Sequence, residues 1–275
     1  MLLSVVIITY NEEANIERTL KSVMPLISEG MGEIIVVDSG STDRTVEIAK
    51  SYGAKVFVED WKGFAAQKNS AIAKATGNWI LSLDADEELD QEFVDFLTGT
   101  SRPSKIGGRE WCLTMEPRDL KHVLGEPTGF WVTRKNYFLG RWIKHGGFWP
   151  DPKLRLFRRG TGIVQDALVH ETIKVSGHTE KLNCGFIHHS YPTISDYVGH
   201  MNHYSSLGAE MVVAKGERHF LFLDILFRPF LTFIYNYFFR LGFLDGREGL
   251  LLHLGHAVYV SWKYAKVWEL QHKAL

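Results

Sequence analysis

The sequence predicts an α/β fold: a Rossmann-like, mainly parallel sheet flanked by helices, followed by an amphipathic, apolar helical appendage. Three observations predict it. Short apolar runs alternate with segments of helical periodicity over the first eighty-odd residues, the pattern of strand–helix–strand units with right-handed crossovers. The strand ends carry polar residues: Thr9 to Glu12, Asp38 to Ser41, and Asp84 with Asp86. Beyond about residue 215 the chain turns apolar and aromatic.

Leu3-Ser-Val-Val-Ile-Ile8 is β-branched and apolar, suited to a strand buried on both faces. Ile16, Leu20, Val23, Met24 and Ile27 then recur at helical spacing, with Asn11 as the expected N-cap and Glu12 and Glu13 favouring a helix start. Glu33-Ile-Ile-Val-Val37 is a second strand, and Ser39-Gly-Ser-Thr-Asp43 a turn able to cap the helix that runs to about Tyr52. Gly53 stops that helix. Lys55-Val-Phe-Val58 is a third strand, and Gly63 to Thr76 a third helix stopped by Gly77. The fourth strand, Trp79-Ile-Leu-Ser-Leu, runs straight into Asp84-Ala-Asp86.

From Gly107 to Arg159 aromatics and glycines alternate with charges, as expected of strands and long loops that form an acceptor region. Leu154-Arg-Leu-Phe-Arg-Arg159 reads as a strand with basic edges; Asp166, Val169-His-Glu171 and Ile187-His-His-Ser-Tyr191 follow. Thr193 and Asp196 have capping-box spacing at the start of a helix reaching about Lys215. In the tail, Phe220 to Phe239 is interrupted by Asp224, Arg228, Pro229 and Asn236, and a second apolar helix runs from Leu250 to Trp268. The interruptions argue against a spanning helix. Arg228, Arg240, Arg247, Lys263 and Lys266 suit anionic headgroups, so the tail is expected to lie in a membrane interface, the alternatives being packing on the rest of the chain or a dimer contact.

At 275 residues the chain accommodates one large domain or a domain with an appendage, and a formal net charge of -1 points to no nucleic-acid partner. Cys112 and Cys184 have no metal-like spacing and fit a reducing compartment. The N-terminus enters a strand directly, without a basic leader or cleavage-site pattern, so a cytosolic catalytic part is expected.

The chemistry centres on the end of the fourth strand. In open parallel sheets ligands bind beyond the carboxyl ends of strands. Strand alternation puts Asp84 and Asp86 on the same side, where their charges repel unless a cation lies near. A hard ion such as Mg²⁺ or Mn²⁺ suits them, its shell completed by water and substrate phosphates.

Val5-Val-Ile-Ile-Thr-Tyr-Asn-Glu12, Ile34-Ile-Val-Val-Asp-Ser-Gly-Ser-Thr-Asp43, Gln67-Lys-Asn69 and Leu83-Asp-Ala-Asp86, in this order and spacing, resemble the inverting family-2 glycosyltransferases of the GT-A fold. Arg155-Leu-Phe-Arg158, Val169-His-Glu171, His188-His-Ser-Tyr191 and Leu244-Asp-Gly246 are similar to the branch holding bacterial lipopolysaccharide-core β-glucosyltransferases. The resemblance implies a catalytic domain over residues 1–215, with a nucleotide-binding half at 1–100 and an acceptor-binding half at 101–215. Membrane-associated helices would occupy 216–275, at the inner face of the bacterial cell membrane.

By the same resemblance, Thr9, Asn11 and Glu12 line a nucleotide pocket for a UDP-sugar, Asp38 meets the uracil edge or ribose beside Ser41, and Lys68 approaches the base or diphosphate. Asp84 contacts the ribose or a metal-bound water, Asp86 ligates Mg²⁺ or Mn²⁺, and His188 or His189 adds a further metal contact. Family-2 enzymes often show an acidic pair as base; none stands at the expected distance here, and Glu171 and Asp166 are the substitutes. Lys68, Arg155 and Arg158 are candidates for the cationic shell around the departing phosphate, and His170 for phosphate or acceptor contact. The expected activity is hexose transfer, glucose by the narrower resemblance, to a lipid-linked or lipopolysaccharide-core acceptor. A polyprenyl-phosphate acceptor is an alternative. A sugar-1-phosphate nucleotidyltransferase uses a similar sheet but has a Gly-rich basic loop where this chain has Thr9-Tyr-Asn-Glu12. A non-catalytic membrane-surface protein has no need of Asp84 and Asp86.

Overall fold

The computed structural model describes residues 3–28, 30, 32–99, 104–106, 109–111, 127–165, 171–216 and 222–273. Contacts divide the chain into two compact units. One comprises the described residues of Met1–Arg134, Pro152–Ala167 and Glu171–His188; the other comprises those of Lys135–Asp151 and His189–Leu275.

The first unit opens with β1 (Leu3–Thr9), α1 (Ile16–Ser28), β2 (Gly32–Asp38), α2 (Thr45–Ser51), β3 (Lys55–Val58), α3 (Phe64–Ala73) and β4 (Trp79–Asp84). All four strands pair in parallel, in the order β3-β2-β1-β4, as the alternation of apolar runs and helices predicts. The central strands are buried on both faces: Val5, Ile7, Val36, Leu81 and Leu83 pack against α1, and Val6, Ile35, Val37 and Ile80 belong to a second core cluster with Ala71 and Ala75.

Beyond β4 the sheet turns antiparallel. Next come β5 (Glu87–Leu89), α4 (Gln91–Thr98), the two-strand ribbon of β6 (Ser104–Ile106) and β7 (Arg109–Trp111), β8 (Gly129–Phe138), β9 (Arg141–Trp142), β10 (Pro152–Arg158), β11 (Gly162–Gln165), β12 (Thr172–Val175) and β13 (Thr179–Tyr191). The sheet continues from β4 in the order β10-β8-β13-β5, with β10 antiparallel to both β4 and β8 and β13 antiparallel to β5. β11 and β12 form a separate hairpin.

In the second unit, β9 pairs with the end of β8. α5 (Ile194–Ala214) starts at a Thr193–Asp196 capping box, as its spacing predicts. One helical run then changes pitch twice: a π-helical turn at Leu223–Phe227, α6 (Arg228–Ile234) and a second π-helical turn at Tyr235–Phe239. Pro229 sits in the first turn of α6, where its missing N–H is tolerated, so it changes the pitch of the run and does not end it. A 3₁₀ turn (Gly242–Asp245) leads into α7 (Gly246–Lys273), longer than the expected Leu250–Trp268. Among the described residues no helix is long and apolar enough to cross a membrane.

The domain boundary expected at residue 215 falls inside this unit. Ala209 of α5 shares a buried cluster with Val260, Tyr264 and Val267 of α7, and Lys266 donates to Asn202, Ser205 and Ser206, so α5 packs with the tail helices.

Candidate active site

The loops after β1 and β2 are laced together. Asp38, wholly buried, accepts from the Gly40 and Ser41 amides on Oδ1 and from the Thr9 and Ser41 hydroxyls on Oδ2. Four donors match the acceptor capacity of a carboxylate, so a uracil or ribose reaching Asp38 must displace one of them. Asn11 is not the N-cap of α1. Its backbone lies in the left-handed region (φ 53°), its amide donates to Ser41 Oγ and its side-chain oxygen accepts from Thr42 N; Asn tolerates that conformation better than most residues. The first amides of the α1 turn bond instead to the Glu12 carbonyl. Glu12 donates its own amide to Thr45 Oγ1. Burial raises the Glu12 carboxyl above the ordinary range; a hydrogen bond from Asn15 lowers it, and Asp86, Asp43 and Asp84 raise it further.

At the end of β4 the expected repulsion between Asp84 and Asp86 is met by cations of the protein itself. Asp84 Oδ1 lies 2.7 Å from Lys68 Nζ, and Oδ2 lies 2.6 Å from Arg155 Nη2. Burial raises the Asp84 carboxyl, but Arg155 and Lys68 outweigh it and hold it well below the usual carboxylate range. The Lys68 ammonium, 6% exposed, also lies 2.7 Å from Glu171 Oε1. Burial lowers its pKa, and Asp84 and Glu171 together lift it above the ordinary lysine value despite Arg155. The first turns of α3 supply Lys68. Asn69, next to it, grips the Val164 backbone in β11 through both amide atoms, at 2.8 and 2.9 Å, so α3 also anchors the hairpin whose second strand begins just after Glu171.

Asp86 takes a different partner: its Oδ2 lies 3.0 Å from His188 Nε2 on β13. Of the expected metal set of Asp84, Asp86, His188 and His189, the structure brings Asp86 and His188 together. Asp84 has both oxygens on cations. His189 follows His188 in β13, where alternation turns it to the opposite face, and its ring lies 5.6 Å from Tyr137 in the second unit. Among the described residues no three His, Cys, Asp or Glu side chains gather round one point. The Asp86–His188 pair nonetheless fits an ion such as Mg²⁺ or Mn²⁺, which commonly takes one or two protein ligands and fills its remaining positions with water and substrate phosphate.

Arg158 lies apart from this cluster. It faces Trp79, at the opposite end of β4 from Asp84, and its guanidinium sits 5.4 Å from that ring. Arg155, three residues earlier in β10, stands at a register shift in the pairing of β10 with β8, between Leu154 and Leu156, and reaches Asp84 instead. Asp166 and His170 lie outside the described residues. Two residues not expected from the sequence complete the cluster: Glu87, wholly buried, whose Oε1 lies 2.9 Å from Arg155 Nη2, and Arg134, 3.9 Å from the same oxygen. Burial raises the Glu87 carboxyl, Arg155 pulling the other way. Glu87 stands one residue past Asp86, where an acid reads as a turn charge; nothing in sequence marks Arg134.

Among known proteins, the family described as glycosyl transferase family 2 matches residues 4–98. The lipopolysaccharide core biosynthesis glycosyltransferase LpsC of Rhizobium meliloti (strain 1021) is 30% identical over 274 residues, covering 97% of this chain and 92% of that protein. An uncharacterized glycosyltransferase of Rickettsia typhi is 30% identical over 278 residues, covering 99% and 88%. Among solved structures, S. aureus TarS 1-349 in complex with UDP is 16% identical, covering 99% of this chain and 92% of that one at a TM-score of 0.47. Identity of this extent, reaching from the first strand through the tail, makes the chain a glycosyltransferase of family 2.

Proposed function

We propose that this glycosyltransferase moves a hexose, glucose in the first instance, from a UDP-sugar to a lipopolysaccharide-core or other lipid-linked acceptor, by a single displacement with inversion. The observation that carries the reading is the juxtaposition at the end of β4: two buried cations, Lys68 and Arg155, on Asp84, beside an Asp86–His188 pair at the sheet rim. The name of LpsC supports the acceptor class.

Departure of the sugar builds negative charge on the diphosphate. Lys68 and Arg155 stabilise that charge from fixed, buried positions, where preorganised cations act most strongly. Asp86 and His188 would hold the divalent ion, which supplies Lewis-acid stabilisation of the same charge when bound. Glu171 is the proposed base: Lys68 anchors Oε1, and the carboxylate accepts the proton of the incoming hydroxyl. Thr9, Asn11, Glu12, Asp38 and Ser41 shape the nucleoside pocket.

The tail is proposed to dock on the inner membrane face. Phe230 and Leu231 are each 60% exposed and Phe239 76%, and Phe222, Leu226 and Phe238 are exposed in the same run. Apolar surface of this kind marks a membrane or protein contact, and Arg228, more than half exposed, and Arg240 supply charge for anionic headgroups.

The test is a donor screen by UDP release with Mn²⁺ or Mg²⁺ and lipid-linked acceptors. Turnover with a UDP-hexose is the expected result. Failure to bind or hydrolyse any UDP-sugar overturns the reading, and pyrophosphate release from a nucleoside triphosphate replaces it with nucleotidyl transfer.

A further inference from the structure

The turn that presents Asp86 is held from several sides. The Ala85 carbonyl accepts from Thr19 Oγ1 of α1 at 2.6 Å, and Ala85 itself is buried. Glu87 grips Asp84 twice. Its Oε2 accepts from the Asp84 backbone amide at 3.0 Å, and its Oε1 accepts at 2.9 Å from the same Arg155 nitrogen that donates to the Asp84 carboxylate. β5 seats Glu87 directly opposite His188 of β13 in the antiparallel ladder. The one carboxylate thus meets the main chain of Asp84, the cation of Asp84 and the strand register of the histidine that pairs with Asp86.

A stability role alone does not account for this residue. Two charges taken out of water lose hydration that their mutual attraction only partly restores, and a well-packed apolar pair of similar volume often does as well or better. Glu87 has no exposed surface and Arg155 is 7% exposed. Arg155 Nε, also enclosed, has no hydrogen-bond partner among the described residues, although both acids are engaged by the neighbouring Nη2. A guanidinium steered by its terminal nitrogen, with another donor unsatisfied, is arranged for placement more than for maximal bonding.

We propose that Glu87 is a positioning residue for transfer: it clasps the Asp84–Asp86 turn and aims Arg155, so that the cationic face and the rim carboxylate hold their geometry while the diphosphate departs. Glu87 touches no substrate. The proposal rests on the reading of this site as the UDP-sugar site.

The test compares Glu87→Gln, Arg155→Lys and the double variant in UDP-sugar turnover, with thermal melting of each. Gln keeps the shape and an acceptor for the Asp84 amide but removes the charge that steers Arg155. Glu87→Gln is expected to lower kcat by about 10- to 100-fold, the usual cost of disturbing a residue that orients site ligands, with KM for the UDP-sugar changed little and a fall in melting temperature that reflects buried Arg155 losing one of its two carboxylates. The double variant is expected to be no slower than Arg155→Lys alone, since both changes break one device. Glu87→Asp, which restores the charge, is expected to recover part of kcat. Wild-type kcat in Glu87→Gln, or losses that simply multiply in the double variant, overturns the proposal. So does a kcat loss that follows melting temperature across the set. A wild-type protein without UDP-sugar turnover instead overturns the functional reading beneath it.

Discussion

The β4 end and the π-helical run of the tail invert the usual rule of burial. In the first unit, charged side chains are buried: Lys68 and Arg155 are in direct contact with Asp84, Glu171 and Glu87. In the second unit, large aromatics stand in water from Phe222 to Phe239. Each arrangement is costly as it stands, and each points outward. Buried ion pairs are a poor route to stability but a good way to hold charge where a reaction develops it. Exposed aromatics gain when a nonpolar surface covers them. The comparison supports the proposal that chemistry belongs to one unit and attachment to the other.

The sharpest way to break that assignment is at the rim. Asp86→Ala is expected to reduce transfer by about a thousandfold or more while the melting curve barely moves, since a part-exposed carboxylate contributes little to the core. Unchanged turnover removes the proposed metal role. Next in size, Glu171→Gln is expected to cost about 10²- to 10⁴-fold in kcat with UDP affinity kept, whereas the same loss in Asp166→Asn with Glu171→Gln active would transfer the base role to Asp166. In the tail, Phe230→Glu with Phe239→Glu is expected to weaken sedimentation with anionic vesicles by at least about tenfold, since each Phe contributes roughly 1.5–3 kcal/mol when buried. Turnover on a detergent-dispersed acceptor should be kept. Undiminished sedimentation argues that these side chains do not enter the bilayer.

The smallest effect sharpens the comparison through pH. His253 on α7 is 1% exposed and burial, with the nearby His256, pushes it down to about 4 from an ordinary value of 6.5. Its folded-state pKa is depressed, so between those values the unfolded chain binds the proton that the folded chain excludes, and stability falls as pH drops. The loss begins near pH 6.5 and is complete near pH 4, about 3 kcal/mol in all for this one group. Melting of the wild type against His253→Phe between pH 7 and pH 4 reads it: the variant is expected to lose less on acidification. Parallel losses in both proteins contradict the assignment.

How much of this was legible beforehand depended on the distance over which the cause acts. The four parallel strands, their helices and Asp84 with Asp86 follow from local pattern, because apolar runs that end in polar residues describe a buried strand and its rim. Lys68 and Glu171 were expected at the site, but their ion pair joins residues 103 apart in sequence and needs the hairpin that Asn69 anchors. Arg155 and Arg158 look alike in sequence, yet Arg155 reaches Asp84 at one end of β4 while Arg158 pairs opposite Trp79 at the other. Glu87 was invisible because its meaning lies in the pairing of β5 with β13 and in an arginine 68 residues away. The bonds of Lys266 to Asn202 and Ser205 likewise span more than sixty residues and depend on the packing of α5 with α7.

The central claim is that the end of β4 grips a nucleotide diphosphate through a divalent ion held at Asp86. Calorimetric titration of UDP into the protein, with and without Mn²⁺, tests it most directly. The account predicts saturable binding at one site per chain, strengthened by Mn²⁺, with that strengthening absent in Asp86→Ala. Binding that ignores both the ion and the substitution, or no binding at all, contradicts it.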